Sequence, residues 1–203
     1  FNSYSNLCNC LKVLPDSTGN IPSETIIVDN SSKDRTILML KDSYPDIQVI
    51  ENFRNVGYTK AINMAIKESN GDMIILINPD TIPQVGSINK MIRYMLSNSK
   101  AGICGPKVLN VDGSFQKSCR RGIARPGAVF SYFLGLSRLY PNDVRYTGYH
   151  LDHIDENLIT EVGGVSGSCM LIRREVVDQI GYFDERYFAY QEDSDYCLRA
   201  SQK

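Results

Sequence analysis

The chain has 203 residues, 42% hydrophobic and 22% charged, and its 22 Lys plus Arg against 23 Asp plus Glu leave a formal charge of −1. That composition excludes a disordered segment, and near-neutrality leaves no overall electrostatic footprint for nucleic acid. No apolar stretch approaches the roughly 20 residues needed to span a bilayer, so an integral membrane segment is not expected.

Leu7, Cys10, Leu11 and Leu14 recur at helical spacing, and Pro15 is expected to close that helix. Thr25–Val28 is a short apolar run ending in Asp29-Asn30-Ser31-Ser32, which reads as a buried strand followed by a helix N-cap. Ile37, Leu38 and Leu40 predict a helix ending before Pro45, and Ile47–Ile50 a second strand. Ala61, Ile62, Ala65 and Ile66 share one helical face, stopped by Asn70-Gly71. Met73–Ile77 is a continuous apolar run, the mark of a strand buried on both faces, and Asn78-Pro79-Asp80 follows it. Val85, Ile88, Ile92, Met95 and Leu96 predict another helix, and Ala101–Cys104 another strand.

Strand and helix thus alternate to about residue 105, a pattern that predicts an α/β fold with a parallel sheet covered by helices on both faces. Ligands bind such sheets beyond the carboxyl ends of the strands, where Asp29 and Asp80 both stand. Further on, Asp112-Gly113 predicts a hairpin turn, and residues 116–160 an irregular excursion. Cys169–Ile172 reads as a strand, Arg174–Ile180 as a short helix stopped by Gly181, and 192–201 as a final helix. Six cysteines without a CxxC pair read as small buried hydrophobes in a reducing compartment.

Four places carry residues suited to chemistry. Asp29 can accept hydrogen bonds from a nucleobase or ribose, or simply cap the next helix. Asp80 suits a hard cation such as Mg²⁺ or Mn²⁺, while Asn-Pro-Asp also makes a turn. Glu192, Asp193 and Asp195 crowd a helix start; the macrodipole favours them there, and mutual repulsion suits one of them to general-base work. The run Gly163-Gly164-Val165-Ser166-Gly167-Ser168 permits either close backbone approach to a ligand or a tight bend. Two weaker signals remain. Arg120, Arg121 and Arg125 beside Phe130–Leu136 fit either a membrane-surface patch or a solvated charge group, and His150 with His153 reads as a surface pair rather than a metal cluster.

In order, these features are strand–Asp29, Asn55-Val56-Gly57 opening a helix, strand–Asn78-Pro79-Asp80, the glycine-rich strand, Phe183-Asp184-Glu185 and Glu192-Asp193-Ser194-Asp195. With Phe1-Asn2-Ser3, Gly105–Leu109 and Asp112-Gly113-Ser114, that order resembles the family 2 glycosyltransferases over nearly the whole chain, the rhamnosyltransferase-type members especially. The resemblance implies a single domain of GT-A fold, a Rossmann-like three-layer sandwich with a mostly parallel central sheet. Residues 1–105 would form its nucleotide-sugar half and 106–203 its acceptor and catalytic half.

It also implies roles. Asp29, with Asn30 and Ser31, would hold the base or ribose of a nucleotide-diphosphate sugar donor. Asn55 and Gly57 would line the nucleotide pocket, with Asn63 beneath. Asp80 would hold Mg²⁺ or Mn²⁺ as the end of a DxD motif whose first position is Asn78 here, one anionic ligand fewer. Asp193 would deprotonate the acceptor, helped by Glu192 and Asp195, and Arg199 would face the diphosphate or pair with those carboxylates. The acceptor would be a glycan or a polyprenyl-diphosphate-linked sugar, used in the cytoplasm or at the inner face of the membrane through peripheral contact, with no nucleic acid partner.

A dehydrogenase is set aside because no GxGxxG follows a strand. A sugar nucleotidyltransferase and an inactive GT-A glycan-binding module are the alternatives. Because the chain begins at Phe1 and ends within a helical pattern, it is expected to be a piece of a longer protein, lacking the strand before Phe1 and whatever follows Lys203.

Overall fold

The computed structural model describes residues 1–123, 130, 134–140 and 143–203. Arg125 and residues 131–133 of the basic-aromatic segment lie outside them.

Helix α1 (Tyr4–Thr18) buries Leu7, Cys10 and Leu11, and helix α2 (Thr36–Ser43) packs Met39 and Leu40 against that face. Pro15 lies inside α1 instead of closing it. The missing Pro15 N–H deprives Leu11 O of its i+4 donor, yet the helix runs on to Thr18, with the Ser17 hydroxyl donating to Leu14 O at 2.6 Å and the Thr18 hydroxyl to Pro15 O at 3.0 Å in the last turn. The stop comes at Gly19, whose φ of +63° suits a residue without Cβ.

Strand β1 (Ile26–Asp29) pairs in parallel with β2 (Gln48–Glu51), from Ile26 opposite Gln48 to Asp29 opposite Glu51. The cap expected at Asp29–Ser32 is not formed, since α2 starts only at Thr36. Asp34 performs that task instead, accepting from the Thr36 N–H at 3.0 Å.

Helix α3 (Tyr58–Glu68), strand β3 (Met73–Ile77), helix α4 (Ser87–Ser97) and strand β4 (Ile103–Cys104) complete the alternating half. Val85 and Leu96, expected on the buried face of α4, are exposed. Asp112-Gly113 makes the predicted turn, closed by a bridge between Leu109 and Phe115, and Gly113 supplies a φ of +83°. Beyond it come β5 (Arg120–Arg121), α5 (Leu136–Leu139), α6 (Val144–Thr147), β6 (Gly164–Val165), β7 (Cys169–Arg173), α7 (Arg174–Ile180) and α8 (Glu192–Ser201).

The mixed α/β layering expected from the sequence is present. β3 and β4 run in the same direction, and β7 returns from the second half to lie antiparallel between them, with Ile75 opposite Leu171 and Ile103 opposite Ile172. β7 reads apolar from Cys169 to Ile172, all buried, because both its faces are covered there. Met170 and Ile172 pack with Ile62 and Ile66 of α3 and with Tyr196 of α8, while Leu171 packs on Met91 and Met95 of α4. In β3 only Ile74 and Leu76 are buried, so its two-faced burial is partial.

The arginine that ends β7 and the one that opens α7 lock these layers. Arg173 donates to Ala101 O at 2.8 Å and to Met95 O, and Arg174 donates to Ser69 O at 2.9 Å, so carbonyls at and just past the ends of α4 and α3 gain side-chain donors. Phe183 stacks on Tyr196 with ring centroids 4.0 Å apart and pins the loop ahead of α8 to the core. All six cysteines are free; Cys10, Cys119, Cys169 and Cys197 are buried, and burial pushes the Cys169 thiol up to about 12. Among the described residues no helix is long and apolar enough to cross a membrane.

Candidate active site

The first group of polar residues gathers beyond the ends of β1 and β2. Asp29 is buried and turns its carboxylate on Ser32, accepting from the backbone N–H at 2.8 Å and from the hydroxyl. Ser31 takes a φ of +66° to permit that turn. Asn30 donates to Gly57 O at 3.1 Å and accepts from Asn52 at 3.0 Å, and Asn55 accepts from the Gly57 N–H at 2.9 Å. Gly57 has φ +93°, and a Cβ there would stand 2.8 Å from Phe188 O. Asp29, Asn30, Asn55 and Gly57 therefore gather in one rim at the mouth of the sheet.

The second group lies where the ends of β3 and α8 meet the glycine-rich turn. The Tyr58 hydroxyl donates toward Asn78 Oδ1 at 2.9 Å and Gly167 O at 3.0 Å. Asp193, at the start of α8, accepts from the Gly167 N–H at 3.1 Å and the Ser194 N–H at 2.7 Å. Arg121 forks onto the same carboxylate, with Nη2 at 2.9 Å from Oδ2 and Nη1 at 3.2 Å from Oδ1.

Glu192, beside Asp193, is 5% exposed, and its Oε2 has no hydrogen-bond partner among the described residues. Burial, reinforced by the Asp193 charge and opposed by Arg121, holds its carboxyl above the ordinary range. Burial also pushes the Tyr58 phenol up, with Glu192, Asp193 and Asp80 all adding to the effect. Three carboxylates thus share one neighbourhood around that phenol.

Three further residues named for the site make structural contacts. Asn63 is buried behind it, where Nδ2 donates to Phe183 O at 2.8 Å and Oδ1 accepts from the Phe183 N–H at 3.0 Å. It ties α3 to the loop before α8. Asp195 stands two residues after Asp193, and at 3.6 residues per turn that points it to the opposite side of α8. There it pairs with Arg199 at 2.9 Å, and Arg199 spends its other nitrogens on Ile180 O and Tyr182 O. Arg199 thus takes the second of its two expected roles, pairing with a carboxylate of that group, and it anchors the helix.

Sequence reasoning missed Tyr58 and the role of Arg121. Tyr58 follows Gly57 at a helix start, which was a usable signal. Arg121 was grouped with a basic surface, yet it is half-buried and paired with Asp193, while Arg120 donates to Ile154 O and stacks over Phe115. His150 and His153 line a cavity of about 310 Å³ with Phe115, Lys117, Arg120 and Asp152, and His153 Nδ1 lies 2.9 Å from Thr147 Oγ1.

Asp80 is exposed, and no hydrogen bond or ion pair reaches its carboxylate among the described residues. Among those residues no three His, Cys, Asp or Glu gather to cage a metal. One open carboxylate fits Mg²⁺ or Mn²⁺ carried in with phosphate oxygens, since these ions take one or two protein carboxylates and complete their shell from substrate and water.

The chain matches the family described as Glycosyl transferase family 2 over residues 1–181. It is 32% identical over 189 residues to the N-acetylglucosaminyl-diphospho-decaprenol L-rhamnosyltransferase of Mycobacterium tuberculosis, covering 86% of this chain and 59% of that one. To the dTDP-rhamnosyl transferase RfbF of Shigella flexneri it is 26% identical over 181 residues, covering 86% and 52%. The chain thus spans little more than half the length of these relatives. Its fold is shared with S. aureus TarS 1–349, at a TM-score of 0.63 and 17% identity over 98% of this chain and 52% of that one. The mannosyltransferase PcManGT of Pyrobaculum calidifontis, solved with GDP-Man and Mn²⁺, superposes with a TM-score of 0.59 at 15% identity, covering 97% and 48%. The likeness to these solved structures places the chain in the GT-A fold.

Proposed function

The chain belongs to glycosyl transferase family 2, and from that premise we propose that it carries the donor site and catalytic base of an inverting glycosyltransferase of cell-surface glycan synthesis. The donor is a nucleotide-diphosphate sugar, with a deoxyhexose such as rhamnose suggested by the two rhamnosyltransferase relatives. The acceptor is a glycan or a polyprenyl-diphosphate-linked sugar, reached at the inner face of the membrane. Residues 1–105 hold the nucleotide and 106–203 present the acceptor.

The observation that carries this reading is the placement of Asp193. Its carboxylate stands at a helix N-terminus beside Gly167, and the Tyr58 hydroxyl joins Gly167 to Asn78, two residues before Asp80. Inverting transfer needs a base on one side of the anomeric carbon and a departing diphosphate on the other. Asp193 takes the acceptor proton as the acceptor oxygen bonds to that carbon and the carbon–phosphate-oxygen bond breaks. Asp29, Asn30, Asn55 and Gly57 orient the nucleotide at the rim. A divalent cation held by Asp80 would neutralise charge on the leaving diphosphate. A nucleotidyltransferase is not favoured, because both rhamnosyltransferase relatives match across nearly all of the chain.

The test is Asp193→Asn. Transfer is expected to fall at least about a hundredfold, the scale of a lost general base, while nucleotide affinity measured by calorimetry stays near that of the unaltered protein. Undiminished transfer would remove Asp193 from the chemistry.

A further inference from the structure

The Asp193 carboxylate is saturated. Its two oxygens offer about four lone-pair sites, and four N–H donors occupy them: Arg121 Nη1 and the Ser194 N–H on Oδ1, Arg121 Nη2 and the Gly167 N–H on Oδ2. The Ser194 hydroxyl adds a longer contact to Oδ1 at 3.3 Å. No site is left to take an acceptor's proton. Two of the donors are backbone groups fixed by the glycine-rich turn and by α8. The other two belong to one side chain, from a two-residue strand, and only that side chain can leave by rotating.

We propose that Arg121 is the binding residue for the acceptor's diphosphate, and that in the empty site it is parked on the base. The proposal rests on the reading of Asp193 as the base. An inverting base lies on the acceptor's side of the anomeric carbon, so the cation forked onto it lies there too, away from the donor's leaving group. The guanidinium fork matches phosphate as well as carboxylate, bidentately in both cases. On an acceptor whose sugar is joined directly to diphosphate, the attacking hydroxyl and the phosphate belong to the same ring. Arrival of the phosphate therefore draws Arg121 off Asp193 at the moment the hydroxyl reaches it. An acceptor without the anion leaves the base occupied, which makes the exchange a selection device. The side chain of Arg121 is 17% exposed, so an entering phosphate has a path to it. It also donates to Ser194 Oγ at 2.8 Å, a neutral partner with little hold on it compared with a carboxylate.

Two titrations separate this exchange from a merely structural ion pair. With inorganic pyrophosphate in EDTA, so that no cation holds the anion at Asp80, Asp193→Asn frees Arg121 and is expected to tighten binding about tenfold, the worth of one charge-assisted hydrogen bond. Adding Arg121→Gln to that variant should abolish the gain. Binding that is no tighter in Asp193→Asn, or a gain that survives in the double variant, overturns the proposal. A loss of fold in the Arg121 variants, seen by circular dichroism, leaves the single Asp193→Asn titration decisive.

The second arm compares an N-acetylglucosaminyl-diphospho-lipid with a neutral alkyl glycoside of the same sugar as acceptors. Arg121→Gln should raise KM for the diphosphate acceptor about tenfold and, by freeing the base that a neutral acceptor leaves occupied, raise kcat for the neutral glycoside. Equal loss on both acceptors overturns the assignment to the acceptor's anion. If the unaltered enzyme transfers no sugar at all, the functional reading fails separately, and the pyrophosphate titration still decides where Arg121 binds.

Discussion

The Tyr58 hydroxyl lies 2.9 Å from Asn78 Oδ1 and 3.0 Å from Gly167 O, so one phenol joins the strand end of the first half to the glycine-rich turn of the second. This contact also explains the amide at position 78. Glu192, Asp193 and Asp80 already act on the buried phenol, and a carboxylate at 78 would place a fourth negative charge against it. The uncharged amide accepts the same hydrogen bond without that repulsion.

Replacing Tyr58 by Phe removes one proton that serves two acceptors and leaves a half-buried amide and a carbonyl short of a partner. A loss of about 1–3 kcal/mol in unfolding free energy is expected, read by urea denaturation. Because Asn78 and Gly167 lose their tie, KM for the donor should rise more than kcat falls. An unchanged KM with a large fall in kcat would mean that the hydroxyl acts on the reacting atoms instead.

Asn63 gives the second prediction. At 1% exposure it satisfies both the N–H and the C=O of Phe183 and reaches Glu185 Oε1 at 3.1 Å. Asn63→Ala strands these backbone groups and is expected to cost about 3 kcal/mol, seen as a lower Tm. Nucleotide affinity of the folded variant should be unaltered. A variant that melts normally but has lost the nucleotide would return Asn63 to the pocket.

These residues show what local pattern conveys and what it leaves out. Alternating periodicity located β1, β2, β3, α3 and α8, and with them Asp29 at a strand end and Glu192–Asp195 at a helix start. It carries no pairing information, so the insertion of β7 between β3 and β4 was invisible: the register of Ile75 on Leu171 is a tertiary choice. For the same reason Arg121 read as part of a basic surface. Its partner is 72 residues away, and the strand that delivers it is two residues long, too short to show alternation. Asp195 and Arg199 were legible in principle, since an i, i+4 pair of opposite charge on a helix is its own sufficient explanation.

Glu192 sets a pH dependence of stability. Burial raises its folded-state pKa, so between the ordinary value of 4.5 and the raised one the native state binds more protons than the unfolded chain. Stability is then undiminished below 4.5 and declines as pH rises through the folded value. Asp184, held at about 2 by Arg186, acts in the opposite sense at the acid end. The difference between unaltered protein and Glu192→Gln therefore isolates the glutamate. The variant should be the more stable at pH 7, and the two should converge in acid. A variant that is less stable at neutral pH would show that Glu192 is ionised and well solvated in the native state.

Asp80 decides whether a cation belongs to the site. It has an open carboxylate, an amide neighbour at 78 already engaged by Tyr58, and no caging residues among those described. Such a site holds Mg²⁺ or Mn²⁺ weakly alone and firmly once a diphosphate completes the shell. Titration of a dTDP-sugar by calorimetry should therefore show affinity falling at least about tenfold when Mn²⁺ is replaced by EDTA, the equivalent of roughly 1.4 kcal/mol. Asp80→Ala should fall as far with Mn²⁺ present, and EDTA should cost that variant nothing further, because both changes delete the same interaction. Additive losses would place the cation on other residues. Affinity indifferent to both changes would mean that the diphosphate is held by this chain's own N–H donors, with Asp80 outside the donor site.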